Sequence, residues 1–245
     1  MKKAIIIGGS SAIAQATSRE LAKRGYELYL ISRNLERLQI LCQDLKIRGA
    51  VNAHCKSLDI NQIELHEETF QEAIETLGGL DLLLIAHGTL PQQKDCENDW
   101  VQAEKELCTN AFSTVRALSF FANALSERQK GIIAVITSVA GNRGRQSNYI
   151  YGSAKSMVST FLQGLRNRLF KSGVHVIDIK PGFVDTPMTE EFKKGPLWAK
   201  PDLVARDIMN AIDKKKDLIY TPFFWRYIMF LIGIIPERIF KKLRL

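Results

Sequence analysis

The chain predicts a single α/β domain with a doubly wound parallel sheet flanked by helices, followed by an apolar, basic C-terminal tail helix. Three observations lead there. Short apolar, β-rich runs alternate with stretches whose apolar residues recur at three- and four-residue spacing. The runs are almost continuously apolar, as strands covered on both faces must be. Glycines (Gly25, Gly49, Gly78-Gly79, Gly131, Gly173) stand just ahead of the runs, where a helix C-terminus meets a turn. With 46% hydrophobic and 24% charged residues in 245, the composition excludes a disordered chain and supports a sizeable core.

Ala4–Ile7 follows two lysines. After only four apolar residues it gives way to Gly8-Gly9, too soon for a secretory segment, so it reads as a first buried strand. A helix over Ala12–Arg24, a strand at Glu27–Ile31 and a helix over Leu35–Ile47 come next. Val51–Cys55, Leu80–Ala86, Ile132–Thr137 and Val174–Lys180 read as further strands, with a helix over Ile60–Leu77 between the first two. No linker or repeat interrupts this pattern, so residues 1–221 form the catalytic domain and 222–245 the tail. Cys42, Cys55, Cys96 and Cys108 have neither CxxC nor metal-ligand spacing; they read as free thiols, and no metal is expected.

Gly8-Gly9-Ser10-Ser11-Ala12-Ile13-Ala14 joins the first strand to the first helix. A dinucleotide pyrophosphate needs such a turn, with small residues and amide hydrogens facing it at a helix N-terminus. A generic βα turn has a similar look, since Ala12 and Ala14 replace the glycines that would sharpen the signal. The second strand runs out at Ser32-Arg33, where an acidic residue would bind the 2′-hydroxyl of NAD. A guanidinium there suits the 2′-phosphate of NADP(H) instead, although a solvated surface arginine also fits. Asp59, after the third strand, can accept from an adenine amino group. Gly88, after the fourth, lets backbone approach a cofactor. His87 beside it reads as a packed, hydrogen-bonded residue rather than a base.

The strand Ile132–Thr137 ends at Ser138. Tyr151 and Lys155, four apart on a helix, share one face. An ammonium beside a phenol favours the phenolate, and a serine hydroxyl can hold a substrate oxygen near it. A half-buried core tyrosine and a surface lysine would give the same spacing.

Taken together, these motifs resemble the short-chain dehydrogenase/reductase family over roughly the first 220 residues. The resemblance makes Gly8–Ala14 the cofactor turn, Asp59 and Ile85-Ala86-His87-Gly88 further cofactor motifs, and Asn110 the active-site asparagine. Pro181, Gly182, Val184 and Thr186 match a segment whose threonine holds the nicotinamide carboxamide. Ala86-His87 departs from the family's Asn-Ala pair. The fold implied is Rossmann-type. The reaction implied is hydride transfer between NADP(H) and a carbonyl or alcohol: Tyr151 handles the proton, and Ser138 orients the oxygen. Lys155 lowers the phenol's pKa and holds the nicotinamide ribose, while Asn110 keeps a water chain to Lys155. The family also implies a homo-oligomer paired through helices near 100–125 and 151–170.

Arg143 and Arg145 lie on the loop between Ser138 and Tyr151, where they suit an anionic substrate group. The segment after Thr186 reads as a substrate lid. In the tail, five basic residues (Arg226, Arg238, Lys241, Lys242, Arg244) face Glu237 alone and account for half of the net charge of +8. The uncharged run from Tyr227 to Pro236 is too short to span a bilayer. Trp225, Tyr227 and the basic end suit an interfacial anchor, which predicts a cytoplasmic enzyme at the inner membrane face. A tail packed on the domain or a partner subunit is the alternative. The arginine pair and tail resemble bacterial reductases that act on a 2-keto sugar of a polyprenyl phosphate, as in decaprenylphosphoryl-2-keto-pentose reduction. A long-chain ketoacyl or ketosphingoid reductase would favour a similar tail. A non-catalytic NADPH-binding scaffold would have no need of Tyr151 beside Lys155. Nucleic acid is not an expected partner, because only the overall basicity points that way.

Overall fold

The structure, a computed structural model, describes residues 1–243; Arg244 and Leu245 lie outside the described residues. Seven strands form one parallel sheet in the order β3-β2-β1-β4-β5-β6-β7. They are β1 (Lys3–Ile7), β2 (Glu27–Ser32), β3 (Asn52–Ser57), β4 (Leu82–Ile85), β5 (Gly131–Ile136), β6 (Val174–Pro181) and β7 (Leu218–Thr221). The connecting helices are α1 (Ala12–Lys23), α2 (Leu35–Ile47), α3 (His66–Leu77), α4 (Gln93–Asn98), α5 (Trp100–Leu107), α6 (Ser113–Glu127), α7 (Tyr149–Leu169) and α8 (Pro201–Asp213). The tail forms α9 (Trp225–Ile234) and α10 (Glu237–Phe240).

Side-chain alternation along the buried strands divides the core into two layers. Ile6, Leu28, Leu30 and Leu84 face one layer, where Leu21 of α1, Leu38 of α2 and Ile208 of α8 cover them. Ile5, Tyr29, Leu83 and Ile133 face the other, closed by Phe70, Phe121, Val158 and Leu162. Fully burying side chains such as Phe121 contributes about 1.5–3 kcal/mol each.

Register then positions the site. Ile7 pairs with both Ile31 and Ile85, so the chain leaves β1, β2 and β4 at one level. The sheet reverses its winding between β1 and β4, and a crevice opens outside the strand ends there. Ile85 pairs with Val135 and Ile136 with Ile179, which carries that edge across to Ser138 and Gly182.

Each of the six predicted strands is present, with no end shifted by more than two residues. The structure adds β7, four residues too short to show a period. The helix predicted from Ile60 begins at His66 instead. Asp59 Oδ1 accepts from the Asn61 amide, and the His66 ring holds the Ile60 carbonyl, so side chains fix a turn there. The tail breaks into two helices because Ile235, ahead of Pro236, is held in extended backbone.

Candidate active site

A cleft of about 530 Å³ runs along the sheet's C-terminal edge. One end, expected to take the cofactor, is lined by Gly8, Ser10, Ser11, Ala12 and Ile13, and by Ser32, Arg33 and Asp59. Gly8 has φ +79°, and a Cβ on it would stand 2.4 Å from the His87 nitrogen, so the turn tolerates no side chain. Ser11 caps α1, its hydroxyl accepting from the Ala14 amide at 3.2 Å. At the end of β2 the Ser32 hydroxyl is buried without a partner. Arg33 and Arg37 flank it, exposed and without an ion pair among the described residues. Arg37 escaped the sequence reading, although it lies one helical turn beyond Arg33.

The middle of the cleft holds Ser138, Tyr151 and Lys155 together, below Ala86 and Gly88 and beside Pro181, Gly182, Val184 and Thr186. Ser138 Oγ accepts from the Ala140 amide at 3.0 Å, capping a turn of 3₁₀ helix (Val139–Asn142) and leaving its own proton free for another acceptor. The Lys155 ammonium stands 5.6 Å from the centre of the Tyr151 ring. Burial pushes the Tyr151 phenol up to about 12, and Ser138 offsets part of the rise. Burial pulls Lys155 down to about 8, against the carboxylate field of Asp178. The sequence reading had the ammonium lowering the phenol. In the fold desolvation prevails, and the phenol keeps its proton at neutral pH.

Asn110 sits behind the cleft wall, 1% exposed, in a π-helical turn (Cys108–Phe112) between α5 and α6. Its Oδ1 accepts from the Thr89 amide at 3.1 Å, and its Nδ2 donates to Thr89 Oγ1 and the Glu106 carbonyl. Asn110 and Lys155 both approach Gly88, where an added Cβ would stand 2.8 Å from Asn110 Oδ1 and 3.2 Å from Lys155 Nζ. Glu106, also missed in the sequence, is buried and bound to Thr89 and Asn110. The His87 ring is hydrogen-bonded to Ser113 and Thr114. Burial, with the Lys155 charge, brings its pKa down to about 3, so it is neutral and held in place.

The loop arginines diverge. Arg143, expected to meet an anionic substrate group, lies outside the cleft and serves the tail. Its guanidinium donates to the carbonyls of Ile232 (2.5 Å) and Ile235 (2.8 Å), satisfying the C-terminus of α9. It also pairs with Glu237 and lies 3.7 Å from the Phe240 ring centre. Of these two loop arginines, Arg145 alone lines the cleft. The tail is held further by Trp225 and Met229, buried against Val139. The Trp225 indole fills the space over Gly182, where a Cβ would stand 1.9 Å from Nε1. No described helix is long and apolar enough to cross a membrane, and no described cluster of His, Cys, Asp or Glu suits a metal.

A sheet with this strand order, a glycine turn at its switch point and a buried Ser–Tyr–Lys group defines a nucleotide-dependent oxidoreductase class. The chain belongs to the short chain dehydrogenase family, whose profile matches residues 2–196. It is 29% identical over 239 residues to an uncharacterized oxidoreductase of Mycobacterium tuberculosis, covering 98% of this chain and 96% of that one. An uncharacterized oxidoreductase of Streptomyces coelicolor is 30% identical over 240 residues, covering 98% and 94%. Among solved structures, actinorhodin polyketide ketoreductase with NADPH superposes with TM-score 0.78 at 22% identity, covering 86% of this chain and 90% of that one. An alcohol dehydrogenase of Thermococcus sibiricus complexed with 5-hydroxy-NADP gives TM-score 0.78 at 24% identity, covering 90% and 95%.

Proposed function

We propose that this protein is an NADPH-dependent reductase of carbonyl groups. The protonated Tyr151 phenol beside Ser138 and Lys155 carries the reading, because reduction needs a proton donor at that point. The residues of the cofactor end fit the group. The Gly8 turn leaves room for a pyrophosphate, the N-terminus of α1 offers amides, and the β2 end has two arginines and no carboxylate. Gly8 to Ile13 would hold the pyrophosphate. Ser32, Arg33 and Arg37 would hold the 2′-phosphate, and Asp59 the adenine. Thr186 and the Pro181–Val184 backbone would take the nicotinamide.

NADPH, when bound, supplies the hydride that adds to the carbonyl carbon. Ser138 Oγ–H donates to the carbonyl oxygen and fixes it within reach of Tyr151. The phenol gives its proton to that oxygen as negative charge builds there. Lys155 stabilises the phenolate left behind, and Asn110, locked by Thr89 and Glu106, braces the wall next to its ammonium. A scaffold that only bound nucleotide would have no use for this group.

The proposed substrate is a lipid-linked ketone met at the inner face of the cytoplasmic membrane. Behind buried Trp225 and Met229, α9 turns Tyr227, Phe230, Leu231 and Ile234 to solvent, each at least 60% exposed. Arg226, Arg238, Lys241 and Lys242 accompany them, as in an interfacial anchor. A 2-keto sugar on a polyprenyl phosphate combines the carbonyl, the charge and the chain that these features suit; a long-chain keto-lipid lacks only the charge. Exposed Trp100, Val101, Phe112 and Met157 near and on α5 and α7 support a homo-oligomer. The test is NADPH oxidation with ketones presented in anionic vesicles. Turnover that Tyr151→Phe abolishes supports the reading, and a protein that binds NADPH yet reduces nothing in such a panel contradicts it.

A further inference from the structure

Arg145 sits in the cleft with Tyr151, on the loop that leads into α7. Among the described residues its buried Nε has no acceptor, and its one side-chain contact is a weak one from Nη2 to the Met229 sulfur at 4.0 Å. Structural arginines of a protein interior are paired with carboxylates or carbonyls, because an unpaired buried charge is costly. Arg143, two residues away, has four such partners. Arg145 has none among the described residues, and burial without a counter-charge lowers its proton affinity.

A second polar atom is left open beside it. Asn148 occupies the N-cap position of α7, where an asparagine ordinarily accepts from the first amides of the helix. It makes no such bond. Its side-chain oxygen stays buried and unpartnered in the same cleft, while Gln93 takes the Ile150 amide at 3.1 Å. The amide group can present either end to a ligand. Among the described residues two neighbouring side chains thus lack their ordinary intramolecular partners: the cation Arg145 on the loop, and Asn148 three residues before the catalytic phenol.

We infer that Arg145, with Asn148, is a subsite for an oxyanion of the substrate, so that the ketone reduced at Tyr151 carries a phosphate or carboxylate group. This rests on the reductase reading above and deepens it. Arg145 lines the same cleft as Tyr151, and its Nη2 reaches the Met229 sulfur of α9 at 4.0 Å, so an anion held there lies beside the inner face of the tail. A guanidinium offers two parallel donors to either oxyanion, and in a desolvated cleft such charge-assisted bonds are stronger than at the surface.

The test measures binding, so it stands apart from turnover. Octyl phosphate, octanoate and octanol are titrated calorimetrically, below their micellar concentrations, into protein saturated with NADP⁺. The two anions should bind more tightly than the alcohol, and the tighter of them identifies the anion class. Arg145→Gln should weaken the preferred anion by about ten- to a hundredfold and leave octanol unchanged. The double variant Lys241→Gln/Lys242→Gln should leave that preference intact. Arg145→Met provides the control for folding: relief of a part-buried charge unpaired among the described residues should hold or raise Tm while the anion preference disappears. Equal affinities for anion and alcohol, or a preference lost only in the tail-lysine variant, would overturn the subsite. So would Arg145→Met unfolding earlier with its anion preference kept. If the protein proves inactive on every ketone, the reductase reading fails while these titrations still report on Arg145.

Discussion

Lys155 holds its ammonium 5.6 Å from the centre of the Tyr151 ring, and the two groups are shifted in opposite senses, Tyr151 up to about 12 and Lys155 down to about 8. Both shifts come first from burial, which disfavours phenolate and ammonium alike. At neutral pH both groups therefore carry their protons. That state suits carbonyl reduction, where the phenol must give a proton away.

The pH dependence follows. Lys155 loses its proton as pH rises through about 8, and with it goes the charge that supports the phenolate formed during reduction. The kcat/KM for a ketone should be level below that point and fall by about tenfold per pH unit above it. Lys155→Met should lower the plateau and remove this limb. A pH–rate profile that climbs through pH 8 in the reductive direction would contradict the assignment.

Cofactor choice should follow the cations at the end of β2. Arg33→Ala and Arg37→Ala should each weaken NADPH by about 1.5–3 kcal/mol if they grip the 2′-phosphate, and leave NADH nearly unchanged. Dissociation constants for both nucleotides give the ratio. An unaltered NADPH/NADH ratio in both variants would refute the assignment.

His87 makes stability depend on acid. Its pKa is about 3 in the fold against 6.5 ordinarily, so the unfolded chain takes up that proton first. The associated stability is complete above about pH 6.5 and is lost progressively as pH falls toward 3. Melting temperatures between neutral pH and pH 4 should fall less steeply in His87→Gln than in the parent protein. His66, also lowered by burial, leaves a residual slope. Parallel curves would mean that His87 is not buried neutral.

The tail has an inner and an outer face with separable effects. Trp225→Ala empties the space over Gly182 and should cost about 3–5 kcal/mol of stability, along with turnover. Phe230→Asp with Leu231→Asp alters only exposed positions and should leave Tm within a few degrees while abolishing vesicle flotation. Flotation of the double variant equal to the parent's would argue against membrane docking.

Much of this site could be read from residues alone because its chemistry is local. Gly8 and Gly182 follow a strand directly and Ser138 stands two residues past the end of β5, and parallel register brings strand ends to one edge, so a strand-end motif is also a site residue. Tyr151 and Lys155 are one helical turn apart and need no tertiary information to meet. What escaped depends on packing between distant segments. Arg143 and Arg145 are two residues apart on one loop. Only the placement of α9 sends the first to the tail and the second to the cleft. Glu106 and Thr89 lock Asn110 across a π-helical turn that has no signature in composition or period. β7 has four residues, too few to display alternation, and gains its identity by pairing with β6.

Tyr151→Phe removes one hydroxyl and almost no volume, and so tests the proton donor most directly. On any ketone that the parent protein reduces, single-turnover NADPH oxidation should slow by about 10²–10⁴-fold, with NADPH affinity unchanged. If Tyr151→Phe oxidises NADPH with that ketone at the parent's rate, Tyr151 is not the proton donor and the proposed mechanism is wrong.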